Sequence, residues 1–219
     1  MKNRIGITGI GLSLIITLMF TVHIEPSFGE VRLAVAPFQT ASGHEREYVR
    51  CLSCGNILPG GVIEGDPLPV LTRLLWDYLQ KNSKGFELIS PGQIEGVFNL
   101  DLAKKLSLES LALMTKMGSQ VKADYILWGD LYHYQERKGT SYGVERPASV
   151  AFDLHLLRVK DGVLVWKAQF FKTQKALSEN LFEMGDFIKS KGRWVTVEEL
   201  TRQGLEEDLK DFPSAQSLQ

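Results

Sequence analysis

Apolar residues recur along this chain at two spacings. Stretches with every second position apolar alternate with stretches spaced by three and four, the signature of strands interleaved with helices. Val31 to Phe38 is a short, mostly apolar run that ends at Pro37-Phe38, which predicts a buried first strand. Leu68, Leu71, Leu75, Tyr78 and Leu79 fall on one face of a helix to about Asn82, with Asp66 as N-cap and Pro67 at its first position. Phe86 to Ile89 is a second strand. Ser90-Pro91-Gly92-Gln93 then reads as a capping box opening a short helix that turns Ile94, Val97 and Phe98 inward. Ser107 caps a further helix through Met117, with Gly118 as its stop, and Ala123 to Tyr134 is a long strand.

The next two strands form a hairpin whose register can be derived. Phe152, Leu154 and Leu156 share one face of the first, and Leu164, Trp166, Ala168 and Phe170 share one face of the second. A one-residue slip exchanges faces, so the two sets meet only across an odd-numbered loop, and a three-residue Lys160-Asp161-Gly162 turn fits. The chain ends helically over 177–212. Leu181, Met184 and Ile188 share one helical face. Thr196-Val197-Glu198-Glu199 is a capping box that opens a terminal helix carrying Leu200, Leu205 and Leu209. The order is β-α-β-α-α-β-β-β-α-α: an α/β (α+β) fold with a mixed sheet, a C-terminal antiparallel hairpin and helices packed on the sheet.

One stretch breaks this rhythm. Residues 39–66 show no sustained periodicity and carry Gly43, Gly55, Gly60, Gly61 and Gly65, which predicts a loop far longer than an ordinary βα connection. At the N-terminus, Lys2 and Arg4 precede an uncharged run from Ile5 to Val22, Pro26 breaks it, and Ser27 and Gly29 supply small residues for a cut before Glu30. That predicts a signal peptide over 1–29 and export, to the periplasm in a bacterium, with an uncleaved inner-membrane anchor as the alternative. Residues 30–219 then form one domain. The full chain, with 44% hydrophobic residues, has material for a full core, and its net charge of −1 with no basic block argues against nucleic acid as a partner.

The strand Val-Ala-Pro-Phe at 35–38, Phe86-Glu87-Leu88-Ile89-Ser90-Pro91, Ala123-Asp124-Tyr125-Ile126-Leu127-Trp128-Gly129 and the hairpin Gly162-Val163-Leu164-Val165-Trp166 together resemble the CsgG/LpoB/TolB-N-terminal-domain group of bacterial envelope proteins. The resemblance covers about Val31 to Phe171. It implies a periplasm-facing, non-enzymatic adaptor or assembly factor that binds an envelope protein partner, or forms a homo-oligomer, and it implies no catalytic residue. Members of the group are mostly lipoproteins, whereas this chain has no Cys near the expected cut and inserts a Cys-containing loop after its first strand.

Candidate chemistry centres on Cys51 and Cys54, the two cysteines of the chain, in Cys51-Leu52-Ser53-Cys54-Gly55. In an oxidising compartment the pair closes as a small disulfide. Alternatively, Cys-x2-Cys-Gly has the tight turn of a zinc knuckle, with His44 as a third ligand and Glu45, Glu47, His133 or a second chain completing four. A redox centre of the thioredoxin kind would open a helix, and Asn56 to Gly61 continues as loop. His133 and His155 lie in strands and read as partly buried, hydrogen-bonded rings, and Gly129 before Asp130 reads as a strand bulge, in preference to an acid–base role for Asp130. Arg193 and Trp194 are candidate interface anchors, since both residue types concentrate at binding hot spots. No cofactor other than zinc is implied, and no nucleophile elbow, phosphate loop or His-Glu-x-x-His occurs.

Overall fold

The computed structural model describes residues 30–97, 110–139, 144–174 and 194–219. The expected signal peptide, Phe98, Ser107, Arg193 and the helix carrying Leu181, Met184 and Ile188 lie outside them. A mixed sheet runs in the order β10-β9-β6-β1-β5, formed by β1 (Val31–Val35), β5 (Phe86–Ile89), β6 (Tyr125–Gln135), β9 (Ser149–Arg158) and β10 (Val163–Thr173). β1 lies parallel to both β5 and β6, whereas β6-β9 and β9-β10 are antiparallel. The parallel half needs crossover helices. These are α1 (Leu68–Asn82) between β1 and β5, then α2 (Pro91–Val97) and α3 (Ser110–Gln120) before β6. α4 (Val197–Asp208) and the short α5 (Ala215–Leu218) close the chain.

Helices cover both faces, so the central strands are buried on both sides. Leu71, Leu75 and Leu79 of α1 and Leu200 and Leu205 of α4 pack on the face presenting Leu127, Leu131, Phe152, Leu154 and Leu156. Ile94 of α2 and Met114 and Met117 of α3 pack on the opposite face, over Ile126, Trp128 and Leu157. The expected capping box at Thr196 is present in full, and Gln93 Oε1 accepts from both the backbone N–H and the hydroxyl of Ser90.

Four expectations need correction. The hairpin loop is even, since Arg158 pairs with Val163, and a bulge between Leu164 and Trp166 then shifts the register so that Trp166, Ala168 and Phe170 face Leu156, Leu154 and Phe152. The aromatic set therefore meets its partners through an extra residue at Val165, while Leu164 is left facing the other core. Gly129 is not a bulge. β6 shifts register between Leu131 and His133 instead, and at Gly129 a Cβ would collide with the ring of Phe38. That ring stands edge-on to Phe152. Gly118 does not end its helix, which runs on to Gln120; it is small because Val159 packs against it. The α1 N-cap is Pro67 and not Asp66.

The 39–66 stretch is also more ordered than a loop. β2 (Gln39–Thr40) runs parallel beside β6 at Asp130 and Leu131, and Ile63 bridges Tyr134. Between these sutures, β3 (Tyr48–Arg50) and β4 (Ile57–Pro59) form a small antiparallel ribbon. Glu64 fastens the returning end, accepting from the Glu136 backbone at 3.0 Å and from Arg146 at 2.7 Å. Glu136 precedes a second ribbon, β7 (Lys138–Gly139) and β8 (Val144–Arg146), of which Arg146 is the last residue. Short pairings of this kind have no apolar periodicity to announce them.

Two outcomes follow from this packing. Gly129→Ala should cost about 1–3 kcal/mol by overpacking against Phe38, measured by denaturant unfolding. Asp208, at the end of α4, is pushed up to about 7 by burial and by the charges of Glu207 and Asp153. The folded state therefore holds this proton more tightly than the unfolded chain, and stability is lost as pH rises from about 4 to about 7. Asp208→Asn should thus stabilise the protein at pH 8 by on the order of 1 kcal/mol, allowing for screening of a partly exposed group. The gain should shrink towards zero at pH 4 in thermal melts.

Candidate metal centre and the segment that carries it

The two cysteines reach the sheet because the 39–66 segment shares a face with α2 and α3. On β9 the residues Ala151, Asp153, His155 and Leu157 alternate with the apolar set beneath α1 and α4. On β6, Trp128, Asp130 and Tyr132 do the same. α2 and α3 cover Trp128 and Leu157 at one end of this face. The segment covers the other end, where Ala41, Val49, Cys51 and Leu58 pack with Tyr132 and Ala151. Asp153 and His155 fall between the two covers, and each is fully buried at 0% exposure.

Cys51 and Cys54 are both free thiols, the first buried and the second partly so. Their turn has knuckle geometry. The Cys54 backbone N–H donates to Cys51 Sγ at 3.3 Å, Gly55 N–H donates to the Cys51 carbonyl at 3.0 Å, and Gly55 takes φ +77°, which glycine adopts without strain. Lys167 of β10 clamps the turn, with Nζ 3.0 Å from the Cys54 carbonyl and 3.1 Å from Asn56 Oδ1.

Four side chains converge here: Cys51, Cys54, Asp153 and His155, whose ligand atoms all lie within 4.8 Å of one another. Cys51 Sγ is 3.3 Å from His155 Nε2, Cys54 Sγ is 3.6 Å from Asp153 Oδ2, and His155 Nε2 is 3.4 Å from the same Asp153 oxygen. Around them, the Tyr132 hydroxyl donates to Asp153 Oδ2 at 2.9 Å. Asp130 Oδ2 lies 3.5 Å from His155 Nδ1 and accepts from Trp128 Nε1 at 3.3 Å. The Trp128 indole stacks on the imidazole, with centroids 4.8 Å apart. Asp153 Oδ1 and His155 Nδ1 make no hydrogen bond.

The electrostatics are those of a crowded, buried set. Burial alone would lower the His155 pKa, but its hydrogen bonds to Asp153, Cys51 and Cys54 and the Asp153 charge hold it up, at about 12. Burial also opposes ionisation of Cys51, yet the His155 hydrogen bond overrides it and draws the thiol below its ordinary range. At Cys54 burial prevails and the pKa rises. Asp130 is pushed up to about 6, chiefly by burial and in part by Asp153.

His44, expected as the third ligand, is not in this group. Its Nδ1 is 3.1 Å from the Gly61 carbonyl and its Nε2 is 3.3 Å from Glu45. His133 also points elsewhere, with its ring against Gly61 and its basicity lowered by burial. Trp194 is partly buried, and the next residue, Val195, donates its N–H to Gln174 Oε1 at 2.8 Å. Asp153 is the residue that sequence reasoning passed over. Its signal was there: in Ala151-Phe152-Asp153-Leu154-His155-Leu156 two polar side chains sit at alternate positions of an otherwise apolar strand, opposite Asp130 on β6.

Among the described residues, no helix is long and apolar enough to cross a membrane. Comparison by sequence finds no matching family model and no matching curated protein. Among solved structures the chain is similar to the PelC dodecamer from Paraburkholderia phytofirmans, at 13% identity, covering 85% of this chain and 89% of that one, with a TM-score of 0.45. It is similar to a lipoprotein from Neisseria meningitidis, at 11% identity over 74% and 94% of the two chains, TM-score 0.44. It is also similar to the LpoB C-terminal domain from Salmonella enterica, at 16% identity over 66% and 84%, TM-score 0.37.

Proposed function

We propose that this chain is a non-enzymatic protein of the bacterial cell envelope that binds a protein partner through the 39–66 segment. One observation carries this. Six large apolar side chains stand exposed among the described residues, and four of them lie in this segment: Tyr48 at 64%, Leu52 at 71%, Ile57 at 57% and Val62 at 58%. Scattered single apolar residues are ordinary on a surface, but a concentration on one segment is a feature of interaction sites.

The segment suits that role because its base is fixed. Val49, Cys51 and Leu58 are buried against the sheet, so neighbours of the same ribbon can be exposed without the ribbon collapsing onto them. Tyr48 faces out beside buried Val49, and Ile57 beside buried Leu58, the in-out alternation of a ribbon with one free face. The polar cluster beneath it is closed over, with Asp153 and His155 fully buried, which suits a structural centre better than one that admits a substrate. The export-like N-terminus and the motif resemblance support the compartment and the adaptor class. Arg193 and Trp194 remain a second candidate contact.

The test places a photo-reactive phenylalanine analogue at Leu52 in the full chain, expressed in an exporting host, with the same probe at Glu206 on α4 as control. A discrete adduct at Leu52, absent at Glu206 and lost when Tyr48→Ser and Ile57→Ser are added, is expected. A self-adduct would identify the partner as a second copy. Equal labelling at both positions, or an adduct indifferent to the two serine changes, would overturn the proposal.

A further inference from the structure

The geometry points to a structural metal site for a divalent, tetrahedral cation of the zinc class, held by Cys51 and Cys54 Sγ, His155 Nε2 and Asp153 Oδ2. Three of the six separations among the ligand atoms already fit, and all six lie within 4.8 Å. A tetrahedral zinc with bonds of about 2.3 Å to sulfur and about 2.0–2.1 Å to nitrogen or oxygen sets its ligand atoms about 3.3–3.8 Å apart. The S–N, S–O and N–O separations here are 3.3, 3.6 and 3.4 Å, three edges of such a tetrahedron. The donor set also selects the ion. Two thiolates exclude magnesium and calcium, which take oxygen, and an S2NO tetrahedron favours zinc over copper(II) or nickel(II), which prefer square-planar sites.

A second, independent observation is the charge. Asp130 and Asp153 are directly paired across β6 and β9, both buried, with one histidine between them and two thiols above. Like charges opposed across a sheet are unfavourable, and buried charges are ordinarily paired or bound to a metal. Two thiols and one His⁺ would lose their protons on binding. The ion, two thiolates, the Asp153 carboxylate and a neutral imidazole then carry a net −1, which Lys167 at the rim and the Tyr132 hydroxyl on Asp153 help to offset.

The surroundings supply groups for an outer shell, although His155 Nδ1 and Asp153 Oδ1 make no hydrogen bond. A metal-bound histidine commonly turns its other ring nitrogen to a carboxylate, and His155 Nδ1 has Asp130 at 3.5 Å, itself held by Trp128. The Cys54 N–H to Cys51 Sγ bond is the backbone-to-sulfur contact of a metal knuckle. With four protein ligands and buried surroundings, no coordination position is left for substrate, so the ion acts as a clasp. It joins the 39–66 segment to β9 across about a hundred residues of sequence, and it goes beyond the protein-binding proposal without depending on it.

The test uses the full chain recovered from an exporting host, reduced, stripped with a chelator and titrated with zinc alone. One zinc per chain is expected. X-ray absorption at the zinc edge should show two sulfur and two nitrogen or oxygen neighbours. Cys51→Ser, His155→Gln and Asp153→Asn should each weaken zinc binding at least about a hundredfold. Asp130→Asn should weaken it about 10–100-fold, and His44→Ala should leave it unchanged. Should the ligand variants fail to fold, the absorption spectrum of the unmodified protein still decides, since its sulfur count and imidazole scattering read the ligands directly. The assignment is overturned if the reduced protein takes up no zinc, if sulfur neighbours number other than two, or if His44→Ala abolishes binding. Recovery as a Cys51–Cys54 disulfide that takes up no zinc after reduction would overturn it as well.

Discussion

Two carboxylates and an imidazole in the middle of a sheet need a cover, and much of this fold is arranged to supply it. Asp130, Asp153 and His155 sit on the two central antiparallel strands, where both faces are closed off from water. The helices α2 and α3 reach Trp128 and Leu157 but stop there. The remaining polar patch is roofed by the excursion after β1, which brings two sulfurs, a buried tyrosine contact and a lysine clamp from β10. Removing that roof would expose the patch at the sheet centre and strand the apolar residues around it.

The opposite face follows ordinary rules. Phe38, Phe152 and Phe170 follow one another through the core in edge-on and tilted contacts, made possible by glycines where the rings press against backbone: Gly129 under Phe38 and Gly204 of α4 against Phe170. One face of the sheet is thus a packed aromatic core and the other is divided between an apolar half and a polar half. The bulge at Val165 keeps the two separate, turning Trp166 and Phe170 to the aromatic side and Leu164 to the other.

Much of this was legible in the sequence, and the parts that were not share a cause. Strands and helices with sustained periodicity, such as Leu68–Asn82, Phe86–Ile89 and Val197–Asp208, were placed within a residue or two because burial of one face dictates their pattern. The ribbons at Tyr48–Arg50 and Ile57–Pro59 escaped because two or three residues cannot express a period. At the cluster, local spacing offered a disulfide or a metal knuckle at the cysteine turn and named His44, seven residues away, whereas the structure places His155, 104 residues away, against Cys51. Only the sheet register, with β9 lying against β6 beneath the segment, brings His155 and Asp153 under the sulfurs. Nothing in local spacing reports that juxtaposition. The polar alternation at Asp153 and His155 was the clue, and it becomes informative once β9 is known to be covered on both faces.

The order of the four residues along the chain has a consequence for biogenesis. The two sulfurs lie side by side on a single turn, available as soon as that turn has been made. Their nitrogen and oxygen counterparts belong to a strand synthesised about a hundred residues later, which pairs with β6 in the finished sheet. In any cell that oxidises thiols as they emerge, the pair therefore faces a race between closing on itself and waiting for the sheet. The buried geometry rewards the slower path. Whichever enzyme or pool governs thiol oxidation in that compartment would then help set how much of this protein matures with its roof correctly seated.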